Sequence, residues 1–282
     1  MPDTQITPKS SSIWRKLSPK CANRSCDRKT WLQAFGPRNP GLNVEGDWYC
    51  CAECFERTVR EKIADLMNSQ VAPAKPHTSR VPLGLLLLQR GILSAEQLKI
   101  ALNLHRATES NFGEVVQQLG FATQEQVTAA VASQWACPVF PLGDRRLDVQ
   151  VRVPRRFMEL YRMLPVHYSE SERRLLIGFV SSVQHQILYT IGHITSCTPI
   201  PCFITAREYE FHLHPPSALL VGEDELVFEQ IVDAVELARI TTSYVVQLVA
   251  DRIRLGICRE YLWIRIWGKE REMDLLFRVR SS

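Results

Sequence analysis

Displacing the chain on itself by 29 positions lays one segment over another between residues 82 and 134. Gly84 falls on Gly113, Gly91 on Gly120, Ser94 on Thr123, Glu96 on Glu125, Gln97 on Gln126 and Ala101 on Ala130. Apolar positions match in kind: Leu83 with Phe112, Leu87 with Val116, Leu98 with Val127, Leu102 with Val131. A repeated stretch of this length is a duplicated supersecondary unit, and each copy has too little apolar surface to make a core alone. Each copy predicts a short helix released by a glycine in the left-handed region, then a second, capped helix. Ser94 and Thr123 are N-caps, and Gln97 and Gln126 three residues on complete a capping box. Leu98, Ala101 and Leu102 make one apolar helix face, as do Val127, Ala130 and Val131. Two helical hairpins packed on each other are the expected outcome.

The string Leu-Gly-x-x-Leu-Leu-x-x-Gly-Ile-Leu-x-x-x-x-Leu-x-x-x-Leu from Leu83 to Leu102 resembles the tandem motif of the MshEN domain. That domain opens type II secretion and type IV pilus assembly ATPases. The stretch Cys137-Pro-Val-Phe-Pro-Leu142 is similar to the short strand that follows in the family, so the resemblance spans roughly residues 80 to 215. It implies a regulatory domain that docks a protein partner of a secretion, pilus or signalling machine. In some members the paired motifs bind cyclic di-GMP, and the positions carried over for such a site are Leu83, Gly84, Leu87, Gly91, His105, Asn111, Gly113, Gly120 and Gln134. The ligand-binding pattern has arginine before each Leu-Gly and glutamine at each motif end. Here Pro82 and Asn111 stand at the arginine positions and His105 at the first glutamine, with Gln134 retained. A charge-assisted hydrogen bond contributes about 1.5–3 kcal/mol. Losing two weakens a dianionic ligand by roughly two to four decades, unless Arg80 or Arg106 compensates.

Five of the nine cysteines fall between Cys21 and Cys54. Cys21 and Cys26 form one close pair; Cys50, Cys51 and Cys54 supply the other, across a loop of about two dozen residues rich in glycine and proline. Two such pairs offer four thiolates to one tetrahedral zinc, which has no open coordination position and is therefore structural. A segment this small needs such a staple to fold. Cys51-x2-Cys54 has the commoner knuckle spacing. Yet Tyr-Cys-Cys-Ala-Glu-Cys resembles the aromatic-Cys-Ser-x-x-Cys motif of small treble-clef fingers such as the MYND type, which implies Cys50 and Cys54 as ligands. Cys51 stays open as the alternative to Cys50. Phe55, Val59, Ile63 and Leu66 then predict a helix.

Beyond the repeats the pattern alternates. Strands are expected at Cys137–Leu142, Met163–His167, Arg174–Val180 and Ile200–Thr205, and helices at Arg155–Arg162 and Gln184–Ile194, a small α/β layer. Cys197 and Cys202 are read as core thiols. Glu225 to Arg239 predicts an amphipathic helix with Val227, Ile231, Ala234, Val235 and Ala238 on one face. Tyr261–Trp267 and Met273–Val279 predict a β-hairpin. One of its strand faces carries Tyr261, Trp263, Arg265 and Trp267; interleaved aromatics and arginine can stack bases, but a face covered by the helix or a partner is the simpler reading.

The expected organisation is α+β and multidomain: a basic tail at 1–14, a zinc module at 15–67, a linker at 68–80 and an MshEN-like domain at 81–215. That domain divides into the repeat pair at 81–135 and an α/β part at 136–215, and 216–282 holds the terminal helix and hairpin. Net charge is +4, with Lys9, Arg15, Lys16, Lys20, Arg24, Arg28 and Lys29 crowding the start. This cluster and the zinc module make nucleic acid an alternative partner, but a solvated tail accounts for it. No secretory signal and no membrane-length apolar run are evident, so a cytoplasmic location without membrane insertion is expected. No Gly-x4-Gly-Lys-Ser/Thr loop, Gly-x-Ser-x-Gly elbow or His-Glu-x-x-His helix occurs, so the chain is read as non-enzymatic.

Overall fold

The computed structural model describes residues 20–26, 41–68, 80–143, 147, 149–214, 224–230 and 233–279. Lys9, Arg15, Lys16, Arg28, Lys29, the turn residues 36–40 and most of the linker lie outside the described residues. The chain folds as two compact units: residues 1–70 with 228–282, and residues 71–227. The N-terminal cysteine module and the C-terminal helix and hairpin, set apart in the sequence reading, therefore belong to one body interrupted by the other.

The first unit begins with a hairpin of β1 (Leu42–Val44) and β2 (Asp47–Tyr49), which turns through Glu45 and Gly46, both at positive φ. It continues into α1 (Ala52–Asn68), whose buried residues Phe55, Val59 and Ile63 recur every four positions and form a stripe along one face.

The second unit opens with the repeats: α2 (Leu83–Gln89) and α3 (Ala95–Thr108), then α4 (Phe112–Gln118) and α5 (Gln124–Gln134). Gly91 and Gly120 release α2 and α4 at φ of +67° and +68°, a conformation that side chains other than glycine rarely adopt. Both capping boxes form: Gln97 N donates to Ser94 Oγ at 3.1 Å and Gln126 N to Thr123 Oγ1 at 3.3 Å, each glutamine side chain accepting in return at 2.8 Å.

The α/β part consists of α6 (Arg155–Tyr161), β3 (Met163–Ser169), β4 (Arg174–Phe179), α7 (His185–Thr195), β5 (Thr198–Phe203) and α8 (Ala206–Leu213). β3 and β4 pair antiparallel, and β4 pairs parallel with β5 through α7. Leu175, Ile177, Phe179, Ile187, Ile191 and Phe203 are fully buried, while Cys202, on the opposite face of the sheet, is buried with Leu164, Val166, Ile204 and Tyr209. Where a strand is expected at Cys137–Leu142 there is only an isolated bridge from Val139 to Phe203. Pro138 and Pro141 remove two ladder donors from that six-residue stretch, so pairing cannot propagate.

The chain returns to the first unit with β6 (Glu225–Phe228), α9 (Ala234–Gln247), β7 (Arg252–Cys258), β8 (Tyr261–Trp267) and β9 (Glu272–Arg278), the strands ordered β6-β9-β8-β7. The helix expected from Glu225 starts at Ala234 instead, and residues 225–228 are a strand. Asp233 decides the boundary, because its Oδ1 accepts from Val235 N at 3.0 Å and Glu236 N at 2.9 Å, satisfying helix donors that otherwise have no partner. Leu237, Ala238, Thr241 and Val245 are the buried face of α9, whereas Val235 is exposed. β7, which the sequence reading does not contain, completes a meander with the expected hairpin. α1 packs on α9 and β7, and Glu45 N donates to Asp251 O at 2.7 Å.

Strand β8 is buried on both faces from Tyr261 to Ile266. Arg265 makes a bidentate pair with Asp274 at 2.7 Å for both contacts, and Trp263 Nε1 donates to the same carboxylate at 2.7 Å. Tyr261, Trp263 and Arg265 are therefore internal, while Trp267 is half-buried with the Arg252 guanidinium over its ring, so the strand does not present the row of aromatics and arginine that would stack nucleobases. Among the described residues no helix is long and apolar enough to cross a membrane.

Candidate metal centre and paired-repeat site

The backbone brings the two cysteine pairs together from opposite ends of a hairpin. Ala22 N donates to Trp48 O at 2.8 Å, tying the first pair's loop to β2. Arg57 Nη1 donates to Ser25 O at 3.0 Å, tying the same loop to α1. Tyr49 meets Phe55 edge-on at 5.2 Å beneath the second pair. As a result the sulfur atoms of Cys21, Cys26, Cys50 and Cys54 all lie within 4.8 Å of one another. Cys26 to Cys50 is 3.6 Å and Cys50 to Cys54 is 3.5 Å. Four thiolates at about 2.3 Å from a tetrahedral zinc stand about 3.8 Å apart, so the cluster has the dimensions to hold a metal ion. Cys51 Sγ lies 3.9 Å from Cys50 Sγ but is not one of the four mutually close sulfurs; its carbonyl accepts from Phe55 N at the start of α1.

Burial pushes the Cys50 thiol far up, with hydrogen bonds from the neighbouring cysteines adding to it. Burial likewise pushes Cys54 up to about 12. Without a cation Cys50 and Cys54 keep their protons, and a metal must displace them on binding. Two neighbours oppose that trend at Cys54, first Cys50 and then the polar side chain of Asn23. Asn23 is 5% exposed, and its Nδ2 has no hydrogen-bond partner. A buried donor left in this way costs about 1–3 kcal/mol, and a thiolate beside it is the acceptor the pocket lacks. The donor set and the orphaned amide thus both fit a cation held by thiolates.

The residues carried over for a nucleotide site in the repeats converge, but on each other. Leu83 Cδ2 lies 3.6 Å from where a Cβ on Gly113 would stand, and Phe112 Cζ lies 3.1 Å from that position on Gly84. Leu98 and Val127, also repeat equivalents, close the same two glycines at 2.6 and 3.0 Å. Each copy therefore packs its first apolar residue over the other copy's glycine, an internal two-fold relation that requires the missing side chain. The motif ends obey the same relation. Gln134 Nε2 donates to Val81 O at 2.7 Å, and His105 Nδ1 donates to Ser110 O, the equivalent carbonyl of the second copy. Asn111 Oδ1 caps α4 by accepting from Gly113 N at 2.9 Å, and Pro82 starts α2 with no side-chain cap. Leu87 is fully buried, while Gly91 and Gly120 face open space. Arg80, one of the two arginines the sequence reading offers as substitutes, lies over the Trp135 ring with its guanidinium carbon 3.3 Å from the centroid; the sequence reading missed Trp135. The adjacency of Gln134 and Trp135 was its only sequence signal.

No protein-family model matches the chain, and no curated protein does. Among solved structures it is similar to MshE with cdg, at 24% identity and a TM-score of 0.41, over 48% of this chain and 97% of that one. It is also similar to two crystal forms of the XpsE N-terminal domain. One is 15% identical with a TM-score of 0.37, over 46% of this chain and 90% of that one. The other is 18% identical with a TM-score of 0.29, over 45% and 88%.

Proposed function

We propose that the protein is a non-catalytic adaptor or regulatory protein, built from an MshEN-like docking unit and a second unit stapled by a structural zinc. The observation that carries the reading is the reciprocal closure of the repeats. His105 and Gln134 are engaged by backbone carbonyls of the opposite copy, Asn111 by its own helix, and Gly84 and Gly113 by apolar side chains. Positions that in a ligand-binding motif face a nucleotide here hold the two hairpins in a fixed relation, which suits a rigid surface presented to a protein. Cys21, Cys26, Cys50 and Cys54 are the proposed zinc ligands. Four thiolates leave the ion no site for substrate, so it contributes stability rather than chemistry. Arg57 and the loop of Ala22 hold the ligands in place. The proposed partner is a component of a secretion, pilus or signalling machine, and the proposed location is cytoplasmic.

Crosslinking followed by mass spectrometry on the metal-replete full chain in its native cell tests the adaptor reading. Crosslinks from the repeats to an ATPase or another machine component are expected; crosslinks confined to nucleic-acid-associated proteins would overturn it. A second reading, a cyclic di-GMP sensor, is favoured by one observation: Arg80 is stacked beside Gln134, where it can supply the charge that Pro82 and Asn111 do not. Calorimetric titration with cyclic di-GMP separates the two. Saturable micromolar heat that is lost in Gln134→Ala makes the protein a sensor, and no heat leaves the repeats as scaffold.

A further inference from the structure

We infer that Asn23 is a positioning residue of the metal centre, its Nδ2 hydrogen bonding to the Cys54 thiolate when a metal is bound. The inference rests on the zinc reading above. Asn23 sits inside the Cys21–Cys26 loop, and its two side-chain atoms have different situations. Oδ1 accepts from Ser25 N at 2.9 Å, and the Asn23 carbonyl accepts from Cys26 N at 3.1 Å, so the residue forms the turn that brings Cys26 round to Cys50. That bond also fixes the amide: rotating it would set NH2 against the Ser25 N–H, so Nδ2 must point the other way. In that direction it is buried and unpartnered, within the loop whose Cys26 sulfur lies 3.6 Å from Cys50 and belongs to the same cluster as Cys54.

A thiol is a poor acceptor, whereas a metal-bound thiolate is a good one. A zinc with four thiolates carries a net charge of −2, spread over four sulfurs of which those of Cys50 and Cys54 belong to buried residues. Donors aimed at those sulfurs stabilise the loaded centre and orient its ligands. Of the other buried side-chain atoms without a hydrogen-bond partner among the described residues, on Arg162, Thr242, Glu260 and Arg278, none belongs to the cysteine loop. The same residue therefore shapes one half-site through Oδ1 and reaches into the other through Nδ2.

Asn23→Ser and Asn23→Asp separate the two roles, because both keep an oxygen able to accept from Ser25 N while removing the donor. Cobalt(II) serves as the spectroscopic probe on the full chain. Wild type is expected to show the sulfur-to-cobalt charge-transfer band of a four-thiolate site. At saturating cobalt both variants are expected to keep that band but shift it to lower energy, since a sulfur relieved of a hydrogen bond holds its electrons less tightly. Zinc affinity, measured by chelator competition, is expected to fall 10- to 100-fold in Asn23→Ser and further in Asn23→Asp, whose carboxylate repels the thiolates. Variants with wild-type band position and affinity overturn the role of Asn23 and leave the zinc site standing. Wild-type protein with no charge-transfer band overturns the zinc reading and this inference together. Reading the band at saturation keeps the test decisive if a variant folds only when metal is present.

Discussion

Stripping the metal proposed for the cysteine cluster is expected to loosen the C-terminal sheet, more than 170 residues away in sequence, and to leave the repeats untouched. The reason lies in α1. Its N-terminus carries Cys54, and its buried face of Phe55, Val59 and Ile63 packs in the unit that also holds α9 and β7. Burying three such side chains is worth about 5–9 kcal/mol at about 1.5–3 kcal/mol each, comparable with the whole stability of a domain, about 5–15 kcal/mol. Without the ion, the Cys21–Cys26 loop keeps only contacts such as the 2.8 Å bond from Ala22 and the 3.0 Å bond from Arg57. Such hydrogen bonds contribute about 1 kcal/mol each, against about 10–16 kcal/mol of zinc binding in small zinc modules. The loop should therefore release α1, and α9 and β7 should lose part of their cover. Hydrogen exchange with and without a strong chelator reads this directly: amides of α9 and β7–β9 should exchange faster in the stripped protein, while those of α4 and α5 keep their rates. Unchanged protection of β7 and α9 after complete metal removal would refute the coupling.

Three further outcomes follow from particular contacts. Gly84→Ala sets a Cβ 2.6 Å from Leu98 Cδ1 and 3.1 Å from Phe112 Cζ; overpacking of about 1–3 kcal/mol, partly offset by up to about 1 kcal/mol of helix propensity, should appear in urea denaturation. Leu98→Val should relieve that loss, but not the loss of about 1–2 kcal/mol in Gly91→Ala, where space is open and only the positive φ is strained. Glu208 accepts from Leu142 N, Gly143 N, Thr205 N and Thr205 Oγ1 at 2.7–3.0 Å; burial raises its carboxyl, but these bonds outweigh burial and hold it below the usual range. Because the folded value is depressed, its contribution is present above the unfolded value of about 4.3 and disappears as pH falls through the folded one. Glu208→Gln should thus cost about 1–2 kcal/mol at pH 7, discounted for partial exposure, and the gap to wild type should close in acid denaturation curves below about pH 4. Finally, Asp274→Ala removes the bidentate carboxylate partner of the buried Arg265 guanidinium and should cost about 3–5 kcal/mol, with Arg265→Met on the same background recovering part of it by thermal melting.

Local features were legible because local physics sets them. The repeat, its two glycine-released helices and both capping boxes depend on residues within four positions of one another, and they stand where the spacing predicts. The α/β part was legible for the same reason, apart from α8, which the sequence reading does not contain, and Cys137–Leu142, where prolines within an apolar run limit pairing to a single bridge. Glu225–Arg239 shows the limit of periodicity: Val227 and Ala234 fit a helical stripe on paper, but a capping aspartate inside the window makes two elements of it. What the chain alone cannot specify is which distant faces meet. The burial of β8 on both sides, the pairing of Arg265 with Asp274 and the joining of residues 42–68 with 234–279 across the repeats are long-range choices, made by hydrophobic burial that has no direction along the sequence. The same holds at the two candidate sites. Cysteine spacing names five sulfurs, and only the tertiary approach of the loop, β2 and α1 selects the four that lie close together. Motif spacing names the nucleotide positions, and only the packed repeats reveal that each copy closes on the other.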